Sequence, residues 1–267
     1  MRFYKAIIPA AGLGERLHPV TKILPKEMFP VGRHPAIEWV IAEAVAGGCR
    51  DIAVVISPRK PVVREYLTQY CSIAASRCKL TFITQSEPLG LGHALLLAKG
   101  FADGQPVAVL LPDELTAGPR LPILQMNEAF TALGGAVFAL GRAEPAANPG
   151  WSQRWHLMKV DSRIYKVQPS RADASMEKRP NQFVGVGRYI LSPECLDDAA
   201  TLFNERPHEG LDDGMIFEFM AAAGKPVHGY AFEGRHFDIS TVAGYTEAWQ
   251  TLGNSDPLIL FHQIPTI

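Results

Sequence analysis

Short apolar runs alternate with amphipathic segments through the first 111 residues of the chain. The runs at 6–9, 51–57, 80–84 and 107–111 are mostly apolar, which predicts strands that are buried on both faces. Between them, the segments 36–47, 62–70 and 93–101 carry apolar residues at helical spacing. The predicted order β-α-β-α-β-α-β is typical of a doubly wound, mostly parallel, Rossmann-like α/β sheet. Such sheets bind ligands at the carboxyl ends of their strands.

The pattern changes from Gly135 onward. Runs at 136–140, 156–160 and 183–191 predict further strands with less helix between them. Segments 212–223 and 244–252 predict helices, and 227–232 predicts a late strand. The polar, Pro-containing segment 170–182 predicts a mobile surface loop. We expect a single domain over residues 1–267, in which the half at 135–267 extends the sheet begun by the half at 1–134.

Composition and charge narrow the classes of partner. Of the 267 residues, 47% are apolar, and the formal net charge is -1, which argues against a nucleic-acid or membrane-surface partner. The four cysteines are far apart and form no CxxC or Cys/His cluster, so neither a zinc site nor a disulfide framework is predicted. No apolar stretch approaches bilayer length, and the N-terminus runs directly into a strand. We therefore expect an unprocessed cytoplasmic protein with small-molecule partners.

The first predicted strand leads into the glycine loop, Ala10-Ala11-Gly12-Leu13-Gly14-Glu15-Arg16. Gly12 and Gly14 can adopt φ values that side chains forbid, which lets backbone N–H groups approach phosphate oxygens. A tight turn is the structural alternative, and Leu17 rules out the dinucleotide pattern G-x-G-x-x-G. The nearby cations Arg16 and Lys26 favour a phosphate site, because a guanidinium can clamp pyrophosphate through two hydrogen bonds.

Two carboxylates are candidates for binding a divalent cation. Asp113 ends the strand at 107–111 and shares a sheet edge with the glycine loop, although such a residue can also cap a helix or form a turn. Asp238 precedes a predicted helix, which it could equally cap. A reaction that brings several phosphates together needs such an ion to neutralise their charge.

With these motifs, the sequence resembles the bacterial UTP-glucose-1-phosphate uridylyltransferases of the sugar-phosphate nucleotidyltransferase family. Further matching motifs are Pro25-Lys26-Glu27-Met28, Gly90-Leu91-Gly92-His93-Ala94, Leu111-Pro112-Asp113, Val186-Gly187-Arg188-Tyr189 and Phe237-Asp238-Ile239. The resemblance implies a nucleotide-diphospho-sugar transferase fold, in which 1–134 binds the nucleotide and 135–267 forms an added β-rich, sugar-side region.

The resemblance also implies a reaction. A nucleoside triphosphate, for which UTP is the expectation, would react with a sugar 1-phosphate and release pyrophosphate in a homodimer or homotetramer. Mg²⁺ would be held by Asp113 and Asp238, while Arg16 and Lys26 would bind the β- and γ-phosphates. The implied nucleotide-binding residues are Ala10, Ala11, Gly12, Gly14, Gln85 and Gly90. The amide of Gln85 can pair with the edge of uracil or thymine.

The sugar side departs from the family pattern. Where family members carry Tyr-Gly and Glu-Lys-Pro, this chain has Trp155-His156 and Val167-Gln168-Pro169. Gln168 removes a cation and predicts weaker phosphate binding, and the imidazole of His156 could obstruct the usual hexose pose. Two alternatives stay open. One is a weakened paralogue that binds nucleotide and regulates a partner, and the other is an enzyme for an atypical sugar phosphate.

Overall fold

The computed structural model of the protein describes residues 5–142, 156–168, 183–206 and 210–262. The strands are β1 Lys5–Ala10, β2 Pro30–Val31, β3 His34–Pro35, β4 Asp51–Ile56, β5 Lys79–Thr84, β6 Val107–Leu110, β7 Glu114–Ala117, β8 Ala136–Arg142, β9 His156–Lys159, β10 Ile164–Gln168, β11 Phe183–Leu191, β12 Val227–Ala231 and β13 Arg235–Asp238. The helices are α1 Ala36–Ala46, α2 Pro61–Gln69, α3 Ser72–Arg77, α4 Gly90–Ala102, α5 Pro122–Leu133, α6 Pro193–Glu205, α7 Asp213–Ala222, α8 Val242–Leu252 and α9 Pro257–His262. Short 3-10 turns lie at Glu15–Leu17, Val20–Lys22 and Lys26–Met28.

Nine of the described strands form one sheet, in the order β5-β4-β1-β6-β11-β8-β12-β10-β9. The pairs β5/β4, β4/β1, β1/β6 and β8/β12 are parallel. The pairs made by β11 with β6 and β8, and by β10 with β12 and β9, are antiparallel. All strands of this sheet except β10 and β11 therefore point the same way. The expectation of a mostly parallel, Rossmann-like α/β sheet is confirmed.

Helices cover both faces of the sheet, and the strands are apolar because both faces are buried. Alternate side chains of β1 enter different cores: Ile8 packs into one hydrophobic cluster and Ile7 into the other, and neither has exposed surface. In β4, Val54 likewise packs into the first cluster and Val55 into the second. This period of two is what a strand between two helical layers requires.

The parallel strands bring distant segments to one edge. β1 ends at Ala10 and its neighbour β6 ends at Leu110, so the glycine loop and Asp113 lie side by side. A small second sheet pairs β13 with β7, where Asp238 lies opposite Glu114. The backbone N–H of Ile239 donates to the carbonyl of Asp113 at 2.9 Å. The topology therefore joins the two predicted carboxylates across more than a hundred residues of sequence.

The second half contains more helix than the sequence pattern predicted. α6 and α7 both lie between β11 and β12, and α6 alone has 13 residues. α6 begins with a proline and carries polar residues, but it buries Cys195, Leu196, Ala199 and Leu202 on one face. That spacing is helical, but the polar residues obscured it, and sequence reasoning left α6 out. Segment 170–182, expected to be a mobile loop, lies outside the described residues. No helix in the described ranges has both the length and the apolar character needed to cross a membrane.

Candidate active site

A cleft of about 490 Å³ opens at the carboxyl ends of β1 and β6. One part of its wall is the glycine loop, and another is the start of α4. The residues predicted from sequence that line it are Ala11, Gly12, Gly14, Arg16, Lys26, Gln85, Gly90 and Asp113. Ala10 is fully buried at the end of β1, directly before this wall. The fold thus gathers most of the predicted site at one place.

The two glycines of the loop differ in conformation. Gly14 has a φ of 68°, in the left-handed region that favours glycine, and a Cβ there would lie 3.1 Å from Cγ2 of Thr21. Gly12 has no positive φ, and a Cβ there would meet nothing within 4 Å. Of the two glycines that can adopt φ values forbidden to other residues, only Gly14 therefore does so. Gly12 contributes open space in the wall of the cleft.

A buried ion pair lies under the glycine loop. The ammonium of Lys60 donates to both carboxylate oxygens of Glu27, at 3.0 and 2.9 Å, and to the carbonyls of Ala10, at 3.2 Å, and Gly12. Burial raises the pKa of Glu27 and lowers that of Lys60, since a low dielectric disfavours both charges. Sequence reasoning missed Lys60. The available signal was its position just beyond β4, the strand beside β1.

Lys26 and Asp113 form an ion pair in the wall of the cleft. The ammonium of Lys26 donates to Oδ2 of Asp113, and both side chains are mostly buried. Burial lowers the pKa of Lys26, but the charges of Asp113 and Glu27 outweigh burial and leave it above its ordinary value. Burial raises the pKa of Asp113, but the charge and hydrogen bond of Lys26 leave it below its ordinary value. Both groups are therefore held in their charged forms.

Asp238 pairs with Arg16 at the same edge. Nη1 of Arg16 lies 3.2 Å from Oδ2 of Asp238, and the arginine side chain is 60% exposed. Oδ1 of Asp238 accepts from the backbone N–H of Ser240 at 2.9 Å, and Ser240 lines the cleft. Helix α8 is capped by Thr241, whose hydroxyl accepts from the N–H of Gly244 at 3.1 Å. Asp238 is therefore not the helix cap that the sequence left open.

Glu114 adds a third carboxyl that the sequence prediction omitted. Its pKa is raised well above the ordinary value, first by burial and then by the negative charges of Asp238 and Asp113. Among the described residues, its buried Oε2 has no hydrogen-bond partner. The signal in the sequence was its position directly after Asp113. The raised pKa favours the protonated form of Glu114, so this carboxyl adds no charge of its own beside the two predicted metal ligands.

Arg188 holds the turn that carries Asp113. It is fully buried and donates to the carboxylate of Glu43 through Nε at 2.9 Å and Nη2 at 2.8 Å. Nη1 also donates to the carbonyl of Leu111 at 3.1 Å, and Nη2 to that of Glu114 at 2.7 Å. These carbonyls flank Asp113 on both sides. The arginine of the motif 186–189 therefore fixes the backbone of the predicted metal site.

Gln85 is buried and therefore does not face solvent. Its Nε2 donates to the carbonyl of Gly90 at 3.1 Å and lies 3.1 Å from Nδ1 of His93. Gly90 has a φ of 83° and forms a bridge with Leu211, where a Cβ would lie 2.5 Å from the leucine carbonyl. Gln85 and Gly90 are thus fixed to each other beside the cleft.

Of the three predicted sugar-side residues, only Gln168 has a described side chain. Trp155 lies outside the described residues, and for His156 only the backbone, at the start of β9, is described. Gln168 ends β10, and its Nε2 lies 3.3 Å from Sδ of Met158. Within the described ranges, Gln168 is not among the residues that line the cleft.

This fold and site define a class. An α/β sheet whose carboxyl edge carries a glycine loop, two cationic side chains and two aspartates is suited to bind nucleoside phosphates together with a divalent ion. Sequence comparison gives the particular family. The chain belongs to the nucleotidyl transferase family, whose profile matches residues 5–263. It is a nucleotidyltransferase, and therefore an enzyme.

The chain is similar to uridylyltransferases over nearly their whole length. A Bacillus subtilis (strain 168) protein with the provisional name UTP-glucose-1-phosphate uridylyltransferase is 31% identical over 261 residues, covering 90% of this chain and 93% of the relative. UTP-glucose-1-phosphate uridylyltransferase 2 of Staphylococcus saprophyticus subsp. saprophyticus is 29% identical over 266 residues, covering 91% and 89%. A solved UDP-glucose pyrophosphorylase in complex with UDP-glucose superposes with a TM-score of 0.77 and 26% identity, covering 93% of this chain and 98% of that one.

Proposed function

We propose that this enzyme transfers a uridylyl group from UTP to a sugar 1-phosphate, giving a UDP-sugar and pyrophosphate. The names of its relatives support the substrates. The observation that carries the proposal is the meeting of two cation-carboxylate pairs, Lys26 with Asp113 and Arg16 with Asp238, beside an open glycine loop. The alternative of a non-catalytic nucleotide binder has no comparable support, since these charged pairs are intact.

The nucleotide occupies the cleft in this proposal. Ala10, Ala11, Gly12 and Gly14 supply the backbone that faces the phosphates and ribose, while Gln85 and Gly90 face the base. A carboxamide offers a donor and an acceptor, as the edge of uracil does. The burial of Gln85 and its hydrogen bond to Gly90 support this role, because a fixed amide can discriminate between bases.

The carboxylates of Asp113 and Asp238 fit a Mg²⁺ ion. Each is paired with a cation, and the hydrogen bond from the N–H of Ile239 to the carbonyl of Asp113 holds the two aspartates at one edge of the site. Mg²⁺ is usually bound by one or two protein carboxylates together with substrate phosphates, and the two aspartates provide such a set of ligands. When bound, the ion would supply charge neutralisation between the two substrates.

The chemical step needs no protein nucleophile. An oxygen of the sugar phosphate attacks the α-phosphorus of UTP, the bond to the β-phosphate breaks, and its electron pair leaves with pyrophosphate. Arg16 and Lys26 neutralise the departing pyrophosphate. Because the side chain of Arg16 is largely exposed, it can exchange its ion pair with Asp238 for one with the pyrophosphate. Catalysis therefore rests on positioning and electrostatics.

On the sugar side, we propose that Trp155, His156 and Gln168 contribute to the acceptor pocket. The neutral Gln168 is expected to weaken phosphate binding, so glucose 1-phosphate should be compared with other sugar phosphates.

We also propose that the enzyme is a single domain, that it is located in the cytoplasm and that it forms a homo-oligomer. The four free cysteines support a reducing compartment, and the exposed Val242 and Trp249 on α8 offer apolar surface to a second copy.

The test is pyrophosphate release from UTP and Mg²⁺ across a panel of sugar 1-phosphates. Asp113→Asn should lower kcat by at least about 100-fold, as loss of an electrostatic contact to the transition state does, while circular dichroism stays unchanged. Asp197→Asn, which alters an exposed aspartate on α6, is the matched control and should keep full activity. Turnover of none of the sugar phosphates, together with tight binding of UTP, would overturn the proposal.

A further inference from the structure

Lys60 holds the underside of the glycine loop without lining the cleft. Its side chain is only 7% exposed, and its ammonium is surrounded by the carboxylate of Glu27 and the carbonyls of Ala10 and Gly12. Among the residues described as lining the cleft, neither Lys60 nor Glu27 is present. These groups therefore affect a ligand in the cleft through the loop backbone.

The orientation of two peptide groups follows from these contacts. In a trans peptide, the C=O of one residue and the N–H of the next point in opposite directions. Because the carbonyls of Ala10 and Gly12 face Lys60, the N–H groups of Ala11 and Leu13 face away from it, and both of these residues line the cleft. Neither N–H has an acceptor among the described residues. The loop thus presents free donors on the side where an anion would bind.

Glu27 connects the same lysine to a second part of the site. It has no exposed surface and directly follows Lys26, the residue paired with Asp113. Lys60 itself ends the turn after β4, immediately before α2. One ammonium therefore joins the glycine loop, the segment of Lys26 and the start of α2.

Stability alone does not account for this pair. A buried ion pair costs desolvation that its attraction often only balances, and apolar residues of similar size can replace such pairs without loss of stability. The contacts to Ala10 and Gly12 are different, since apolar side chains cannot reproduce them. They constrain the conformation of the loop.

We propose that Lys60 is a positioning residue for the nucleotide phosphates, which fixes the loop so that the N–H groups of Ala11 and Leu13 meet the phosphate oxygens. This inference rests on the proposed function. Glu27 holds the lysine in place through two hydrogen bonds, and links it to the segment that carries Lys26.

The test separates the stability of the pair from its effect on the loop. Lys60→Met alone leaves Glu27 buried without its cation, and should lower the melting temperature. The double variant Lys60→Met/Glu27→Met removes both charges, and should regain most of the melting temperature. Its KM for UTP should nevertheless rise by at least about tenfold, as expected for a displaced binding group, with a smaller change in KM for the sugar phosphate.

Lys5→Met is the matched control. Lys5 also donates to two backbone carbonyls, of Phe101 at 2.9 Å and Ala102 at 3.2 Å, but away from the cleft. The KM for UTP should be unchanged in this variant. Calorimetric titration with UTP, at a temperature where circular dichroism shows each variant folded, keeps the comparison independent of how far stability recovers.

The outcomes distinguish the two proposals. A raised KM and weaker UTP binding in the double variant, beside wild-type values in Lys5→Met, would support the role of Lys60. Wild-type UTP binding in the folded double variant would overturn it. Failure of the proposed function would appear in the wild-type enzyme itself, as absence of UTP turnover.

Discussion

Gly12 and Gly14 lie two residues apart in the glycine loop and meet different constraints. The backbone of Gly14 is left-handed, whereas Gly12 has an ordinary backbone and open space where a Cβ would be. The left-handed backbone at residue 14 favours a glycine there. Gly12 leaves room in the wall of the cleft.

Alanine substitutions should separate these two constraints. Gly14→Ala should lower the free energy of unfolding by about 1–2 kcal/mol, because an L-residue there is strained. Gly12→Ala should leave stability unchanged but raise KM for UTP, because the new methyl group occupies space beside the phosphates. Urea denaturation and steady-state kinetics measure the two effects. A wild-type KM in Gly12→Ala would contradict the placement of the phosphates over this residue.

Asp213 is a buried carboxyl at the start of α7. It accepts hydrogen bonds from the hydroxyl of Tyr189 and from the N–H of Gly214. Burial raises its pKa to about 6 from an ordinary value of 3.8, although the bond from Tyr189 opposes the shift. The folded protein therefore binds a proton at this site at pH values where the unfolded chain has lost it.

This raised pKa makes stability depend on pH. The contribution of Asp213 is fully present below pH 3.8 and is lost as the pH rises through about 6, because the folded state must then bury a charge. Asp213→Asn should remove this dependence. The difference in free energy of unfolding between the variant and the wild type should shift in favour of the variant by on the order of 2–3 kcal/mol from pH 4 to pH 7. Urea denaturation at both pH values checks the sign, and an unchanged difference would contradict the shifted pKa.

At the scale of elements, the turn from β6 to β7 depends on a residue of β11. Arg188 bonds the carbonyls of Leu111 and Glu114 while its charge is balanced by Glu43 of α1. Side chains of two elements, β11 and α1, therefore hold the backbone on either side of Asp113. The order of these strands in the sheet, with β11 beside β6, makes this possible.

Removing the arginine should destabilise this junction. Arg188→Met leaves Glu43 as a buried, unpaired charge and should cost about 3–5 kcal/mol of unfolding free energy. Arg188→Met/Glu43→Met should recover much of that stability. The double variant should still have a reduced kcat, since the carbonyls that flank Asp113 lose their donors. Guanidinium denaturation measures the free energy of unfolding, and steady-state kinetics measure kcat. A double variant that is no more stable than Arg188→Met would contradict the inference that the unpaired charge of Glu43 causes the loss of stability.

The sequence predicted strands correctly where burial on both faces gave a continuous apolar run. The strands at β1, β4, β5 and β6 were predicted within about two residues, because burial on both faces gives continuous apolar runs. The structure adds elements that sequence reasoning left out, namely α3, α5, α6, α9, β2, β3, β7, β10 and β13. These elements are short or carry many polar residues, and their burial depends on neighbours that local sequence does not reveal.

For the whole molecule, one sheet crosses the boundary between the two sequence halves. β11 lies between β6 of the first half and β8 of the second. A fragment that ends at residue 134 would leave β6 without its neighbour and expose the backbone groups of a buried strand. This arrangement supports the prediction of a single domain.

Unfolding should accordingly occur in a single transition. We expect far-ultraviolet circular dichroism, which follows all helices, and tryptophan fluorescence, which follows local packing, to give coincident urea curves. Trp39 lies in α1 and Trp249 in α8, so both halves contribute to the fluorescence. Two separated transitions would contradict the single-domain prediction.

The sequence by itself determined the parallel α/β sheet, the glycine loop and the candidate cations and carboxylates, because strand burial and phosphate chemistry leave local signals. Only the tertiary structure decided that Asp238 pairs with Arg16 rather than capping α8, and that Gly12 supplies space rather than an unusual backbone. It also revealed Lys60 and Arg188 as supports of the site. Such roles arise from contacts between residues far apart in the chain, and a pattern of neighbouring residues carries no record of them.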